Sequence, residues 1–508
     1  MPEPHKSLWL ETSRAPEFAP ASQDVEVDVA VLGAGVFGLT TAFLLKRAGA
    51  RVAVVEMDRV GAGVSGYTTA KVTSAHGLIY HQVRSKFGAE GAQVYAAANE
   101  GGLAKLAAIV EEEGIDCDLR RRAAYTYTEE QQDVAQIEQE VEAAREAGLT
   151  VAFADTTPLP WAVAGAIRFE DQAELHPHRY LAALAERVHG DGCLVFEQTR
   201  ALAVSDGASC RVETDREAAI EAQQVVVATH FPFLDRAAFF ARISPERSYC
   251  VAARVDGEPP VGMFLSTESP SHSIRAHPVD GREMLIVGGE SHKTGQSDEA
   301  ERYRKLELWT RERFGVTSVE YSWSTQDNMP SDGIPYIGKL TPVSKAIWTA
   351  TGFKKWGWTN GTAAAMIVSD GILGRDNAWA QTFDSNRVKP VAAAGKMVKE
   401  NVNVGARFVG DHVSKLRPRE LTDLSPGEGD IVRVDGRRAA AYRDRSGNVH
   451  AVSAICTHLG CLVRFNAAEV SWDCPCHGSR FDLEGRVVQG PAVKDLEPVE
   501  VEQPSAPE

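Results

Sequence analysis

No stretch of this sequence is apolar for long enough to cross a bilayer, which takes about 20 consecutive apolar residues, so no membrane span is expected. The opening stretch, MPEPHKSLWLETSRAPEFAP, lacks the basic start and apolar run of a secretory leader, and none is expected. Positive charge is scarce: 54 Lys and Arg against 70 Asp and Glu leave a net charge of −16. That argues against a nucleic-acid partner, which needs a basic face, and against an anionic membrane surface. Cysteine is sparse, at eight in 508 residues. Four of these (Cys117, Cys193, Cys210 and Cys250) follow no spacing and read as buried thiols, so a reducing, cytoplasmic setting is expected. Repeats and low-complexity tracts are missing, as are a catalytic triad and a two-His-one-carboxylate iron motif. A chain of 508 residues exceeds a single core, and 44% hydrophobic with 24% charged residues is ordinary for a globular protein of several domains.

The remaining four cysteines are patterned. Cys456-Thr-His458-Leu-Gly-Cys461 and Cys474-Pro-Cys476-His477-Gly-Ser479 bring sulfur and imidazole donors together in two short boxes. Two Cys on one iron and two His on the other describe a [2Fe–2S] centre of the Rieske type. Zinc also takes Cys and His, though usually at paired spacings that neither box has. A purely disulfide set would leave both His idle. The boxes resemble those of cytochrome bc-type Rieske proteins almost letter for letter. That resemblance implies Cys456, His458, Cys474 and His477 as ligands and a Cys461–Cys476 disulfide joining the two loops. High-potential members carry a Ser and, two residues on, a Tyr that donate to cluster sulfur. This chain keeps Ser479 but has Phe481 at the Tyr position. A lowered potential is expected, inside the broad span of roughly −150 to +300 mV.

A second motif lies near the other end. Val27 to Leu32 read as a buried strand, and Gly33-Ala-Gly35-Val36-Phe37-Gly38 follows at once. A helical pattern then runs to about Ala48, and a second strand ends at Glu56. This is the dinucleotide fingerprint in its strand–turn–helix–strand context. Gly33 makes the turn, Gly35 admits a pyrophosphate, Gly38 lets helix and strand pack, and Glu56 accepts the ribose hydroxyls. The helix start supplies amide donors to phosphate.

Three further segments extend the pattern: Gly63 to Thr73, the strand Gln223 to Val227 ending in Ala228-Thr229-His230, and Thr349 to Gly374. Together with the fingerprint they resemble the D-amino-acid-oxidase and sarcosine-oxidase superfamily over roughly residues 25–385. The resemblance implies FAD, contacted by Ser65, Thr68, Thr69 and Lys71 of the first segment. It also implies contacts from the main chain of Ala201 and from Lys355, Gly357 and Thr359. Lys71 and Lys354 are candidate cations beside the flavin, Arg275 is a candidate carboxylate clamp, and His76 and His230 are possible pocket residues. The oxygen-activating Lys of sarcosine-oxidase-like members is replaced at the matching place by Ile286, with Lys293 nearby, which points away from oxygen as acceptor.

The expected fold class is α/β plus β. A Rossmann-type FAD-binding domain interleaves with an antiparallel-sheet substrate domain, and a small all-β Rieske domain follows. Boundaries are an extended arm (1–24) and the oxidoreductase module (25–385). Within the module, FAD-binding parts lie at about 25–90, 165–245 and 325–385, and substrate parts at about 91–164 and 246–324. A linker (386–413) with a small-residue helix at 391–400 leads to the Rieske domain (414–502). Residues 88–112, 129–148 and 297–314 read as helices, 120–128 as an edge strand, and 249–256, 262–267, 272–277 and 283–289 as short strands. The expected function is dehydrogenation of an amine or amino acid, with electrons passing from FAD through the cluster to an external one-electron carrier or oxygen. The alternatives are electron flow in the opposite direction, for a reductive or oxygenating reaction, and a cluster that serves as a redox sensor or docking module.

Overall fold

The computed structural model describes residues 5–387 and 419–501, apart from 208 and 235–237. The expected linker from 388 onward, with its helix at 391–400, lies outside the described residues.

Val25–Leu32 is a central strand, hydrogen-bonded in parallel to Ala219–Val227 on one side and Val52–Val55 on the other. Cover on both faces explains its run of buried Val, Ala and Leu. The sheet continues through Ile347–Thr351 to Tyr336–Lys339 at one end and to Leu194–Phe196 at the other. The hairpin of Ala201–Val204 and Cys210–Thr214 hangs from Ala219–Val227. Helix Val36–Arg47 leaves the carboxyl end of the central strand and packs on helix Gly357–Ile372, so the two glycine-rich segments meet at one sheet edge.

The second sheet runs Val316–Pro330, Ile243–Val255, Arg282–Lys293, Ser273–Val279, Met263–Ser266, Arg120–Thr128, Gly165–Glu174 and Lys71–Val72. It is antiparallel except where Met263–Ser266 lies parallel to Arg120–Thr128. Arg120–Thr128 is therefore an interior strand rather than an edge. Its arginines look like a solvated rim in the sequence, but Arg120 is neutralised by Glu174 and Glu283. Residues 71–72, 165–174 and 325–330 belong to this sheet, not to the nucleotide-binding part assigned to them. The two sheets share one core, in which Val29 and Phe37 join Tyr80, Tyr95, Ile286 and Trp323.

Two other expectations need correction. The arm is not extended throughout: Leu8–Glu11 is a helical turn whose Leu8 and Trp9 are fully buried, because its apolar LWL segment finds a seat. The helical segment expected from residue 88 begins at Ile79 and runs to Glu112, broken at Gly88 by φ +77°. Its first amides, Tyr80 and His81, donate to the Glu140 carboxylate at 2.7 and 2.8 Å, a cap supplied by the neighbouring helix Val134–Glu146.

The last domain carries two small sheets. One is Arg419–Glu420, Gly429–Val434, Arg437–Arg443 and Val449–Ser453; the other is Arg464–Asn466, Ser471–Asp473, Arg480–Phe481 and Val487–Gln489. It has its own core around Trp472, Phe481, Leu462 and Leu496. Among the described residues no helix is long and apolar enough to cross a membrane.

Candidate active site and cluster pocket

The cradle at residues 33–38 is shaped by what cannot be there. Gly33 has φ +113°, and a Cβ on it would sit 2.6 Å from the Ala228 carbonyl oxygen. A Cβ on Gly38 would lie 2.0 Å from the Gly33 oxygen, so this glycine lets the helix close on its own turn. Gly35 is different: a Cβ there meets only the Ser65 hydroxyl, at 3.1 Å, and otherwise faces open space. The Ser65 hydroxyl accepts from the Val36 N–H at 3.2 Å, which ties the 63–70 loop to the helix start. The Glu56 carboxylate accepts from the Ala34 N–H at 2.7 Å and the Asp58 N–H at 3.0 Å. Burial pushes its carboxyl above the usual range, against the pull of those two amides. The Thr199 N–H donates to the Glu56 carbonyl at 2.8 Å, placing the Ala201 segment beside it.

The second helix start closes the same space. A Cβ on Gly361 would lie 3.1 Å from Val36 Cγ1, and Phe37 meets Phe353 edge-on at 6.2 Å. Lys354 and Lys355 both take left-handed backbone, φ 51° and 71°, and form the turn before Gly357. Lys354 Nζ donates to Gln82 at 3.1 Å, and Lys355 Nζ to Ser291 at 2.6 Å. Thr359 donates to the Thr73 carbonyl at 3.0 Å, and the His76 ring stacks on Trp356 at 4.6 Å. Burial lowers His76 to about 3, so it is a neutral structural ring.

Lys71 is 6% exposed and donates to the Phe264 carbonyl at 2.7 Å. Burial, and then the neighbouring Arg275, bring its ammonium down to about 7. Arg275 does not fit the role of a carboxylate clamp. It is 0% exposed, its Nη1 donates to the Thr69 and Ala70 carbonyls at 3.1 and 2.7 Å, and its Nε pairs with Glu174 at 3.2 Å. Its fork is spent holding the 69–70 loop to the second sheet. Thr68 is held from the other side, where its carbonyl accepts from Trp9 Nε1 at 2.7 Å. Ile286 is buried in the middle of its strand, opposite Arg275 and Ala252.

The cluster boxes converge. Cys456 and Cys474 lie side by side, with the Ser479 side chain close to the Cys456 sulfur, and the Ser479 hydroxyl accepts from the Ala492 N–H at 3.0 Å. The His458 and His477 rings stand 5.0 Å apart at 85°. Nδ1 of His477 is buried with no hydrogen-bond partner, as an iron-binding nitrogen must be. Cys461 and Cys476 form a disulfide. Sulfurs of Cys461, Cys474 and Cys476 also lie within 4.8 Å of one another, but the bonded pair has no thiolate to give, so Cys456 and Cys474 remain as the sulfur donors. The donor set fits a two-Cys, two-His cluster.

This domain is seated on the second sheet. Arg247, fully buried, lies 3.4 Å from Glu469 and 3.9 Å from Asp473. Glu469 also accepts from Tyr303 and Ser324, both at 2.8 Å, and Arg200 pairs with Asp495 at 2.7 Å. Phe240 meets the His477 ring edge-on at 5.6 Å. Burial, then His458 and then Lys293 lower the basicity of His477, so Lys293 sits at this junction. The sequence carries no signal for Arg247 beyond its type; the one hint is the acid, Asp473, that abuts the second box.

Comparison with known proteins decides the family. Residues 28–371 match the FAD dependent oxidoreductase model, and 416–500 match the Rieske [2Fe-2S] domain. The chain belongs to the FAD dependent oxidoreductase family. As a member it binds FAD, and its C-terminal Rieske domain binds a [2Fe–2S] cluster. This oxidoreductase is 36% identical over 98% of its length, and 98% of the relative's, to YhfW of Bacillus subtilis, named as a Rieske 2Fe-2S iron-sulfur protein. Its last domain is 57% identical, over 18% of this chain and 46% of that protein, to cytochrome b6-f complex iron-sulfur subunit 1 of Nostoc sp.. Its fold matches glycine oxidase from Geobacillus kaustophilus at 19% identity and TM-score 0.58, over 72% of this chain and 99% of that one. L-proline dehydrogenase from P. horikoshii matches at 16% identity and TM-score 0.58, over 72% and 98%.

Proposed function

We propose that this oxidoreductase dehydrogenates the carbon–nitrogen bond of an amine or amino acid and passes the electrons, through its own Rieske domain, to an external one-electron carrier. The observation that carries the reading is the seating of the cluster domain on the substrate sheet through buried Arg247. A sensor or a purely docking module would need no such fixed approach to the flavin side. The names of the solved relatives, an oxidase and a dehydrogenase of amino acids, support the substrate class. FAD when bound supplies hydride acceptance, and the [2Fe–2S] cluster supplies single-electron carriage.

The chain's own residues bind and orient. The amides of the helix start at Val36 and the open face of Gly35 take the pyrophosphate, Glu56 takes the ribose, and the main chain at Ala201 takes the adenine. Ser65, Thr68 and Thr69 form one wall of the ring site; Lys354, Lys355, Gly357 and Thr359 form the opposite wall. Lys354 and Lys355 would place positive charge beside the ring, and Lys71 would add to it below about pH 7, which would favour reduction of FAD when it is bound. No base is needed at the reacting carbon, since hydride loss leaves only a nitrogen-bound proton to depart. Ile286 puts no amine over the ring to favour oxygen.

The test is anaerobic mixing with a panel of amines and amino acids, following flavin and cluster absorbance together by stopped flow. The expected result is a member of the panel that bleaches the flavin and then reduces the cluster. Flavin bleaching with a cluster that stays oxidised would overturn the proposed direction of flow. A panel that never bleaches the flavin would overturn the substrate class.

A further inference from the structure

Between flavin side and cluster the chain offers one short bridge, built where a strand of the substrate sheet runs under the second cluster box. Gln326, 3% exposed on the strand Val316–Pro330, donates from Nε2 to the Gly478 carbonyl at 2.9 Å. Its other amide atom is also used: Oε1 accepts from the buried Thr294 hydroxyl at 3.0 Å. The side chain is thus pinned at both ends. Its main chain lies beside the His230 ring. His230 follows Ala228, whose carbonyl lies against Gly33 of the cradle. The His230 carbonyl accepts from Asn328 Nδ2 at 2.9 Å and from Thr351 at 2.7 Å, and the Asn328 carbonyl accepts from Lys354 N–H at 3.3 Å. One strand segment, 326–328, therefore touches the cluster loop on one side and the flavin-side turn on the other.

Two glycines, one from each domain, allow this approach. Gly478 has φ +79°, and a Cβ on it would meet the pinned Gln326 Nε2 at 2.5 Å and Pro245 Cβ at 2.8 Å. Gly295 has φ +67°, and its Cβ would lie 3.0 to 3.2 Å from Pro475, between the two cysteines of the box. Pro245 and Pro475 are rigid rings, so neither can yield as a long side chain would.

We propose that Gln326, with Gly295 and Gly478, is the positioning contact that sets how fast single electrons pass between the flavin site and the cluster. This rests on the proposed flow from flavin to cluster. Each substrate oxidation releases two electrons, and these pass the contact one at a time. An external one-electron acceptor empties the cluster after each passage, and the protons of the oxidised bond leave to water. No atom of Gln326 is oxidised or transferred; the residue fixes the gap, and electron transfer falls off steeply as a gap widens.

The experiment uses the full cofactor-loaded chain with Gln326→Leu and Gly295→Ala. Flavin is photoreduced anaerobically, which needs no substrate, and cluster absorbance reports the second step. Hydrogen exchange of the 474–479 amides in the resting protein gives a readout independent of turnover. Both variants are expected to keep both cofactors and reduce flavin at the wild-type rate. They should exchange faster at 474–479 and slow cluster reduction severalfold. An unchanged rate in Gln326→Leu and Gly295→Ala overturns the proposal. Loss of the cluster in those two variants overturns it equally, since the contact would then serve assembly. A wild-type cluster that stays oxidised beside reduced flavin would instead sink the flow itself.

Discussion

The nucleotide cradle and the cluster pocket are made of opposite materials. The cradle is main chain: Gly33, Gly35 and Gly38 shape it by lacking a Cβ, and its donors are amides. The pocket is side chain: two sulfurs and two imidazoles whose atoms are the site. A cradle of this kind tolerates any residue that keeps its path and fails when space is filled. A donor pocket tolerates crowding at its rim and fails when one atom changes. One chain holding both can lose either without the other.

The sharpest break comes from paired variants. Cys474→Ala should abolish the cluster while leaving flavin content near one per chain, because a two-iron centre cannot close on three ligands. Gly35→Leu should do the reverse, lowering FAD affinity at least about tenfold, or about 1.4 kcal/mol, with an unaltered cluster spectrum. Iron analysis and flavin absorbance check both; simultaneous loss of both cofactors in either variant would contradict the separation.

Glu56→Ala should act more mildly, weakening FAD by about 1–2 kcal/mol for the lost charge-assisted bonds, measured by flavin release on dilution. Its cluster should not notice. On the cluster side, the Ser479 hydroxyl lies close to the Cys456 sulfur, whereas Phe481 is fully buried and has no donor to offer. Phe481→Tyr should raise the potential and Ser479→Ala should lower it, each by about 40 mV for one hydrogen bond. Voltammetry that finds neither shift would remove sulfur hydrogen bonding as the control.

The smallest expected effect is Lys71's. Its ammonium titrates near 7 when folded and near 10.5 when free. Between those values the unfolded chain holds a proton that the native chain has released, so stability rises with pH across that window and is lowest below it. Lys71→Met should flatten that slope and raise the melting temperature by a few degrees at neutral pH. A scan of melting temperature from pH 6 to 10 decides it.

The same contrast explains what the sequence disclosed. Donor atoms announce themselves by type and spacing, so the two Cys/His boxes were legible, and the resemblance they carry implied the Cys461–Cys476 bridge that the structure shows. So were the fingerprint glycines and Glu56, because their spacing is dictated by a strand and a helix. What was not legible depends on distant partners. Arg275 looks like any strand arginine until the loop carbonyls and Glu174 surround it. The charges of Arg120–Thr128 hide an interior strand, and Arg247 and Gln326 gain meaning only once the last domain is seated. Domain limits drawn from local pattern misplaced 165–174 for the same reason: strand character does not say which sheet a strand joins.

Trp9 carries a consequence for the order of assembly. Its ring lies 4.8 Å from His277 and 6.3 Å from Trp323, and its indole N–H holds Thr68 in the flavin loop. Trp9 precedes His277 and Trp323 in the chain, so during synthesis its seat does not exist until residue 323 has followed. The 63–70 loop therefore gains its hold from Trp9 only after the second sheet has closed. An arm made earlier is latched by a sheet made later.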